Sequence, residues 1–246
     1  SSILEIGDYS FFNCTKATQI LFVSCNNLNI INRSAFEGCI SVSGDLTIPN
    51  KVKIVESRAF GNCGFTGTIS ISTSIEYLGS EAFSNCTKFT NLKFGDKSSL
   101  KIIEESAFYC CRKLSKELII PENVEYIGPK AFYNCLSITS LKFNNKLCNI
   151  SSSTFWGCTG ITGSLIINNP ISIISSYSFF GCSSLNENLT IGSSINQIED
   201  FSFKFIPIVD QMIAMTKEED LLKKVLNDMD NKIKEKGLSI IDFNIY

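Results

Sequence analysis

The amino-acid sequence predicts an α/β solenoid of nine units of roughly 24 residues, each with short parallel strands and a short helical turn, closed by a C-terminal helical cap. Three observations carry that expectation. A phenylalanine recurs at a nearly fixed period, a cysteine follows it at a fixed offset, and short apolar triplets return at the same place in each period. A period in this range decides architecture ahead of local propensity, because one such unit buries its apolar face only by stacking on its neighbours.

The phenylalanines are Phe11, Phe36, Phe60, Phe83, Phe108, Phe132, Phe155, Phe179 and Phe203, separated by 25, 24, 23, 25, 24, 23, 24 and 24 residues. A small residue precedes each one (Ser10, Ala35, Ala59, Ala82, Ala107, Ala131, Thr154, Ser178, Ser202), as expected where a tight turn presses its backbone against the next coil. Three positions later comes Cys14, Cys39, Cys63, Cys86, Cys111, Cys135, Cys158 or Cys182, with Ile206 in the ninth unit. Eight of the eleven cysteines thus form one column. Column side chains point in parallel into the core, where free cysteine behaves as a small hydrophobe, so buried thiols are expected rather than a disulfide ladder. The residue before the column cysteine is Asn13, Gly38, Asn62, Asn85, Asn134, Gly157 or Gly181, with Cys110 the exception. Glycine and asparagine tolerate positive φ, which predicts a left-handed exit from a helical turn.

Ahead of each phenylalanine lies an apolar pair three residues apart, as in Val52/Val55, Ile75/Leu78, Leu100/Ile103, Val124/Ile127, Ile171/Ile174 and Ile195/Ile198. Behind the cysteine comes an alternating triplet such as Leu46-Thr47-Ile48, Leu92-Lys93-Phe94, Leu141-Lys142-Phe143 or Leu189-Thr190-Ile191. Triplets that read in, out, in stack as a parallel ladder about 4.8 Å apart, so nine units span on the order of 40 Å.

The unit V-x-x-I-x-x-x-A-F-x-x-C-x-x-L, followed by a strand ending in Ile-Pro at Ile48-Pro49 and Ile120-Pro121, closely resembles the BspA-like, or treponemal-class, leucine-rich repeats. The resemblance covers residues 1 to about 206. It implies a right-handed leucine-rich-repeat superhelix, with phenylalanine and cysteine columns packing where the commoner consensus has an asparagine ladder. It also implies cell-surface display, adhesion and binding of host proteins. The family motif contains no catalytic residue, so none is carried over.

Composition narrows function from the other side. Lys and Arg number 22 against 24 Asp and Glu, and a net charge of −2 offers no general attraction for nucleic acid or anionic lipid. The chain has no histidine, which removes His-paired nucleophiles, His-ligated zinc and the usual near-neutral proton shuttle. No C-x-x-C pair suggests structural zinc, and no stretch approaches the length of a membrane span. Glu104, Glu105 and Glu125 lack a converging second acid in the pattern, so no catalytic residue, metal or cofactor is assigned. Five N-glycosylation sequons, at Asn13, Asn32, Asn85, Asn149 and Asn188, are compatible with secretion.

Composition leaves a non-enzymatic macromolecular binding module, and the family resemblance implies one at the cell surface or outside the cell, recognising a protein such as a host or extracellular-matrix component. The alternative is a cytoplasmic protein–protein scaffold on the same solenoid. The candidate partner site lies between the paired apolar positions, where Tyr77, Ile102 and Tyr126 form an aromatic and aliphatic ridge if that column faces solvent. The other reading is that the column packs inward. Lys93 and Lys142, at outward positions of the triplets, mark a second candidate face.

Residues 207–246 depart from the repeat and form a second segment, either cap or docking element. Thr216 and Glu219 make a capping box, and Leu221, Leu222, Val225, Leu226, Met229 and Ile233 recur on one helical face. A helix over 217–236 and a strand over 238–246 are expected, covering the end of the ninth coil or serving as a dimer contact.

Overall fold

The computed structural model describes residues 2–168, 170–207 and 213–214. Each coil after the first contributes two short strands, and the strands stack into two parallel ladders. The first ladder holds β1 (Glu5–Ile6), β2 (Ile30–Ile31), β4 (Ile54–Val55), β6 (Tyr77–Leu78), β8 (Ile102–Ile103) and β10 (Tyr126–Ile127), followed by a separate sheet of β12 (Asn149–Ile150), β14 (Ile173–Ile174) and β16 (Gln197–Ile198). The second holds β3 (Leu46–Thr47), β5 (Thr68–Ile71) and β7 (Asn91–Phe94), then β9 (Lys116–Ile119) with β11 (Ile138–Lys142), then β13 (Leu165–Ile167), β15 (Leu189–Ile191) and β17 (Ile213–Ala214). The first coil has no second strand, which gives eight two-stranded coils and one with a single strand among the described residues. β17 pairs with β15 through Thr190↔Ile213 and Ile191↔Ala214, so the second ladder runs past residue 206.

The core is the inward column of every strand together with the phenylalanine and cysteine columns, and it is continuous along the molecule. Successive phenylalanine rings stand 5.0–5.6 Å apart and within 13° of parallel, forming a single stack from Phe11 to Phe203. Every cysteine is a free thiol. From Cys39 to Cys182 each column thiol donates to the carbonyl of the preceding coil's phenylalanine, with Sγ–O distances of 3.1–3.4 Å. The same carbonyl accepts the N–H of its own unit's cysteine, as in Cys39 N to Phe36 O at 3.3 Å. A methyl group would fill the same space without supplying that second donor, which explains cysteine rather than alanine or valine at this position.

The expected helical turns are not helices: none occurs among the described residues. The segment through each phenylalanine is instead a series of overlapping four-residue turns, with Ser10, Phe12 and Cys14 N–H groups donating to Gly7, Tyr9 and Phe11 carbonyls. The intervening N–H groups of Tyr9, Phe11 and Asn13 point out of the coil to Arg33, Ala35 and Glu37 carbonyls of the next. A helix directs its N–H groups back along its own axis and leaves none for a neighbouring coil. Two left-handed residues per turn enforce the alternation. One is the residue before the cysteine, from Gly38 (φ 78°) to Asn134 (φ 53°), and Cys110 adopts it too at φ 57°. The other lies two residues before the phenylalanine, at Tyr9, Ser34, Arg58, Glu81, Ser106, Lys130, Ser153, Tyr177 and Phe201. The residues of the expected C-terminal helix, 217–236, and strand, 238–246, lie outside the described residues, so the helical cap has no support in the described structure.

Where the sheet containing β10 ends, Asn144 is buried and makes four hydrogen bonds. Its Nδ2 donates to Pro121 and Val124 carbonyls, and its Oδ1 accepts the N–H groups of Lys146 and Leu147. This side chain joins the coils across the break in the first ladder.

Candidate functional site

Alternation along each two-residue strand decides how the ridge is placed. Leu78, Ile103 and Ile127 are 0–1% exposed, so Tyr77, Ile102 and Tyr126, one residue earlier, turn to the opposite face. Tyr126 is 43% exposed, and Tyr77 and Ile102 are half-buried. They are direct neighbours in register, Tyr77↔Ile102↔Tyr126, and Ile54 and Ile30 extend the row. The column therefore faces outward rather than into the core.

Carboxylates rim this row. Partial burial pushes both tyrosine hydroxyls up, and Glu104 adds to the shift of each, with Glu56 beside Tyr77 and Glu105 beside Tyr126. On the other flank Lys53 and Glu76 pair at 3.5 Å. An apolar centre with aromatic anchors inside a charged rim is the anatomy of a protein interface.

Lys93 and Lys142 do not join that ridge. They lie on the second ladder, at outward positions of β7 and β11, where Lys142 pairs with Glu117 at 2.9 Å and sits opposite Ile119. Ile119 and Ile166 are 54% and 53% exposed on the same ladder. The five candidate residues thus fall on two sheets and form two surfaces, the division expected from the strand columns.

A third surface was not apparent in the sequence reading. The residue after the column phenylalanine is aromatic in four consecutive units, as Tyr109, Tyr133, Trp156 and Phe180, against Glu37, Gly61 and Ser84 in the three units before them. Stacking turns this into a ladder of half-buried rings, with centroids 5.0 Å apart for Tyr109–Tyr133, 5.6 Å for Tyr133–Trp156 and 4.1 Å for Trp156–Phe180. Tyr177, Phe201 and Phe205 extend it, and Lys204 Nζ lies 4.9 Å and 5.0 Å from the Phe201 and Phe205 centroids. Because neighbouring rings cover each other's faces, the ladder offers ring edges outward. Aligning the units by their phenylalanines and comparing the next column would have found it.

No group of three or more His, Cys, Asp or Glu is placed to hold a metal, and no helix is long and apolar enough to cross a membrane, among the described residues. An open groove lined by Ile20, Phe22, Val23, Cys25, Pro49 and Lys51 lies where the first coil lacks its second strand.

Comparison with known proteins agrees with this geometry. The family model described as BspA type leucine rich repeat region matches in six copies over residues 4–117 and 101–219. A search of curated proteins found no match. Among solved structures, a leucine-rich cell-surface protein of Faecalibacterium prausnitzii A2-165 is 21% identical, with a TM-score of 0.52 over 92% of this chain and 72% of that one. The leucine-rich repeat protein of T. pallidum is 22% identical, with a TM-score of 0.58 over 75% of this chain and 82% of that one. The pneumococcal vaccine antigen PcpA is 20% identical, with a TM-score of 0.52 over 86% of this chain and 56% of that one. At these identities the structures speak for the fold, and the family model speaks for descent: the chain belongs to the BspA-type leucine-rich-repeat family.

Proposed function

We propose that the chain is a non-enzymatic binding module of the cell surface or extracellular space, an adhesion or host-protein-binding protein that holds a protein partner on the Tyr77–Ile102–Tyr126 ridge. The observation that carries this reading is the outward, in-register row of apolar and aromatic side chains inside a rim of carboxylates. A soluble fold gains nothing by displaying such a row to water, whereas an interface core is built from it. The description of one structural neighbour as a cell-surface protein, and of another as a vaccine antigen, supports the location.

The test is a panel of immobilised extracellular-matrix and plasma proteins probed with the wild-type chain and with the Tyr77→Ser/Ile102→Ser/Tyr126→Ser variant. Wild type is expected to bind at least one member with saturation. The variant should lose that binding while its melting temperature stays within about 4 °C, since outward positions carry little core burial. A collapse in melting temperature would assign the row to stability instead. Binding that survives the triple change but disappears in a Tyr109→Ser/Tyr133→Ser variant would move the site to the aromatic ladder.

One observation favours a second reading. All eleven cysteines are free, and Cys148 is exposed, which suits a reducing compartment and an intracellular scaffold. Locating the intact gene product in fractionated cells separates the two.

A further inference from the structure

Side-chain length along the outward column of the first ladder makes a gap. Tyr77 and Tyr126 stand on either side of Ile102 in register, on the same face of the sheet. Two strand spacings separate their backbones, about 10 Å. A tyrosine reaches farther from the backbone than an isoleucine, so the outer parts of the two side chains bound an open space whose floor is Ile102. Neither ring stacks on another ring among the described residues, whereas the rings from Tyr109 to Phe180 cover one another.

One carboxylate stands at the side of this gap. Ile103 points into the core, so alternation returns Glu104 to the outward face in the coil between the two tyrosines. Its charge acts on both tyrosine hydroxyls. The matching positions of the adjacent coils are Gly79 and Gly128: the N–H groups of Gly79, Glu104 and Gly128 donate in turn to the Val55, Leu78 and Ile103 carbonyls. A Cβ at Gly79 would lie 2.6 Å from Ser57 N, and one at Gly128 would lie 2.5 Å from Glu105 N. The close approach of coils thus keeps both flanks of Glu104 free of side chains. Among the described residues no ion pair reaches it. Glu56 and Glu105 add negative charge beside Tyr77 and Tyr126. Lys101 lies at the other end of the strand, bonded through its backbone to Glu76 and Glu125 of the adjacent coils.

We infer that the gap receives an arginine side chain of the protein partner, with its stem on Ile102 and its guanidinium held between Tyr77 and Tyr126 against Glu104. This rests on the binding function proposed above and names what the ridge recognises. A cation midway between the tyrosines lies about 5 Å from each, within the ~6 Å range of cation–π attraction. An apolar side chain in the same place would strip water from Glu104 and leave the carboxylate without a partner. The carboxylate oxygens and the two hydroxyls offer more acceptors than the three donors of an ammonium can meet. A guanidinium brings five donors in a planar fork, stacks on aromatic rings and is the more weakly hydrated cation. Tyrosine and arginine are also the side chains on which binding energy concentrates at protein interfaces.

The test titrates the full chain, carrying isotope-labelled tyrosine rings, with acetyl-Gly-Gly-Arg-Gly-Gly-amide and follows the ring signals by NMR. Those of Tyr77 and Tyr126, assigned from single Tyr→Phe variants, should shift together and saturate, while those of Tyr109 and Tyr133 stay in place. The same peptide with citrulline, which keeps the shape and loses the charge, should bind at least about tenfold more weakly. Glu104→Gln should weaken the arginine peptide by a similar factor, and Glu122→Gln, which removes the same charge elsewhere, should leave it unchanged. Equal binding of arginine and citrulline peptides would overturn the inference, and that comparison needs no variant to fold. A lysine peptide binding as tightly as the arginine one would overturn the guanidinium assignment. A panel protein that loses binding in the triple serine variant but is indifferent to Glu104→Gln would leave the ridge as the binding face and refute its arginine site. An arginine peptide that titrates Tyr77 and Tyr126 while no panel protein binds would support the site and count against the wider reading.

Discussion

Raising the pH from 8 to 10 should unfold this chain through its cysteine column. Cys86, Cys111, Cys135, Cys158 and Cys182 are fully buried. Burial pushes all five thiols up, those of Cys86 and Cys182 to about 12. In the unfolded chain a thiol titrates near 8.5. Because the folded values are the higher ones, the stabilisation is complete below about pH 8.5 and is lost as pH rises toward the folded values: the unfolded state releases protons that the folded state keeps. Each thiol then removes about 1.36 kcal/mol of stability per pH unit, or about 2 kcal/mol by pH 10. Five of them remove about 10 kcal/mol, the size of a whole domain's stability. Urea unfolding followed at intervals from pH 7 to 10.5, with reductant present, measures the slope. Lysine and tyrosine also titrate in this range, so the decisive comparison is with Cys86→Ala/Cys182→Ala. That variant starts less stable, yet its stability should fall more gently between pH 9 and 10, by about 2 kcal/mol per unit less than wild type. Equal slopes in the two proteins would refute the reasoning.

Two further outcomes test the spine and the ladder junction. Phe108→Ala should lower the unfolding free energy by about 3–5 kcal/mol, because a fully buried ring stacked at 5.4 Å on Phe83 and 5.2 Å on Phe132 is emptied, while the half-exposed Phe11→Ala should cost under about 2 kcal/mol; a loss under about 1 kcal/mol at Phe108 in urea unfolding would deny the stack its role. Asn144→Ala should cost about 3 kcal/mol or more by the same assay, since it strands two N–H groups and two carbonyls at a buried position; a neutral result would mean that water replaces the amide there.

What the sequence made legible is what the stacking repeats without variation. The phenylalanine, cysteine and strand columns recur because each meets its own copy in the next coil, so periodicity alone located Phe60, Cys63 and Val55 in the core. The left-handed position before the cysteine was legible at Asn62 or Gly157 because those residue types announce it, and Cys110 follows by register. The second left-handed column was not, for Arg58, Glu81, Lys130 and Phe201 share no chemistry; hydrogen bonds between coils impose that conformation from outside the segment. The same bonds account for the turns that read as helical. Local pattern suggested one i→i+4 turn per unit, and the backbone donors are committed to the neighbouring coil instead. Of the candidate site, register made Tyr77, Ile102 and Tyr126 neighbours on paper, but only burial in the folded chain separated the outward reading from the inward one. Lys93 and Lys142 were legible as a separate face because they belong to the other strand column of each unit, which forms the second ladder.

The columns also divide into constrained and unconstrained ones. Along the first ladder the inward residue is Ile31, Val55, Leu78, Ile103, Ile127, Ile150, Ile174 or Ile198, always aliphatic, since each fills the same slot between phenylalanine and backbone. The outward residue beside it runs Ile30, Ile54, Tyr77, Ile102, Tyr126, Asn149, Ile173, Gln197, with no such uniformity. Stability resides in the backbone bonds and the inward columns, so the outward column is free to differ from coil to coil at little cost in folding. Its apolar run ends at Tyr126, and the first sheet ends there too, between β10 and β12. On the binding function proposed above, a partner on this face would meet a continuous hydrogen-bonded platform under the apolar row and a polar Asn149 beyond it, where chemistry and backbone change at the same coil.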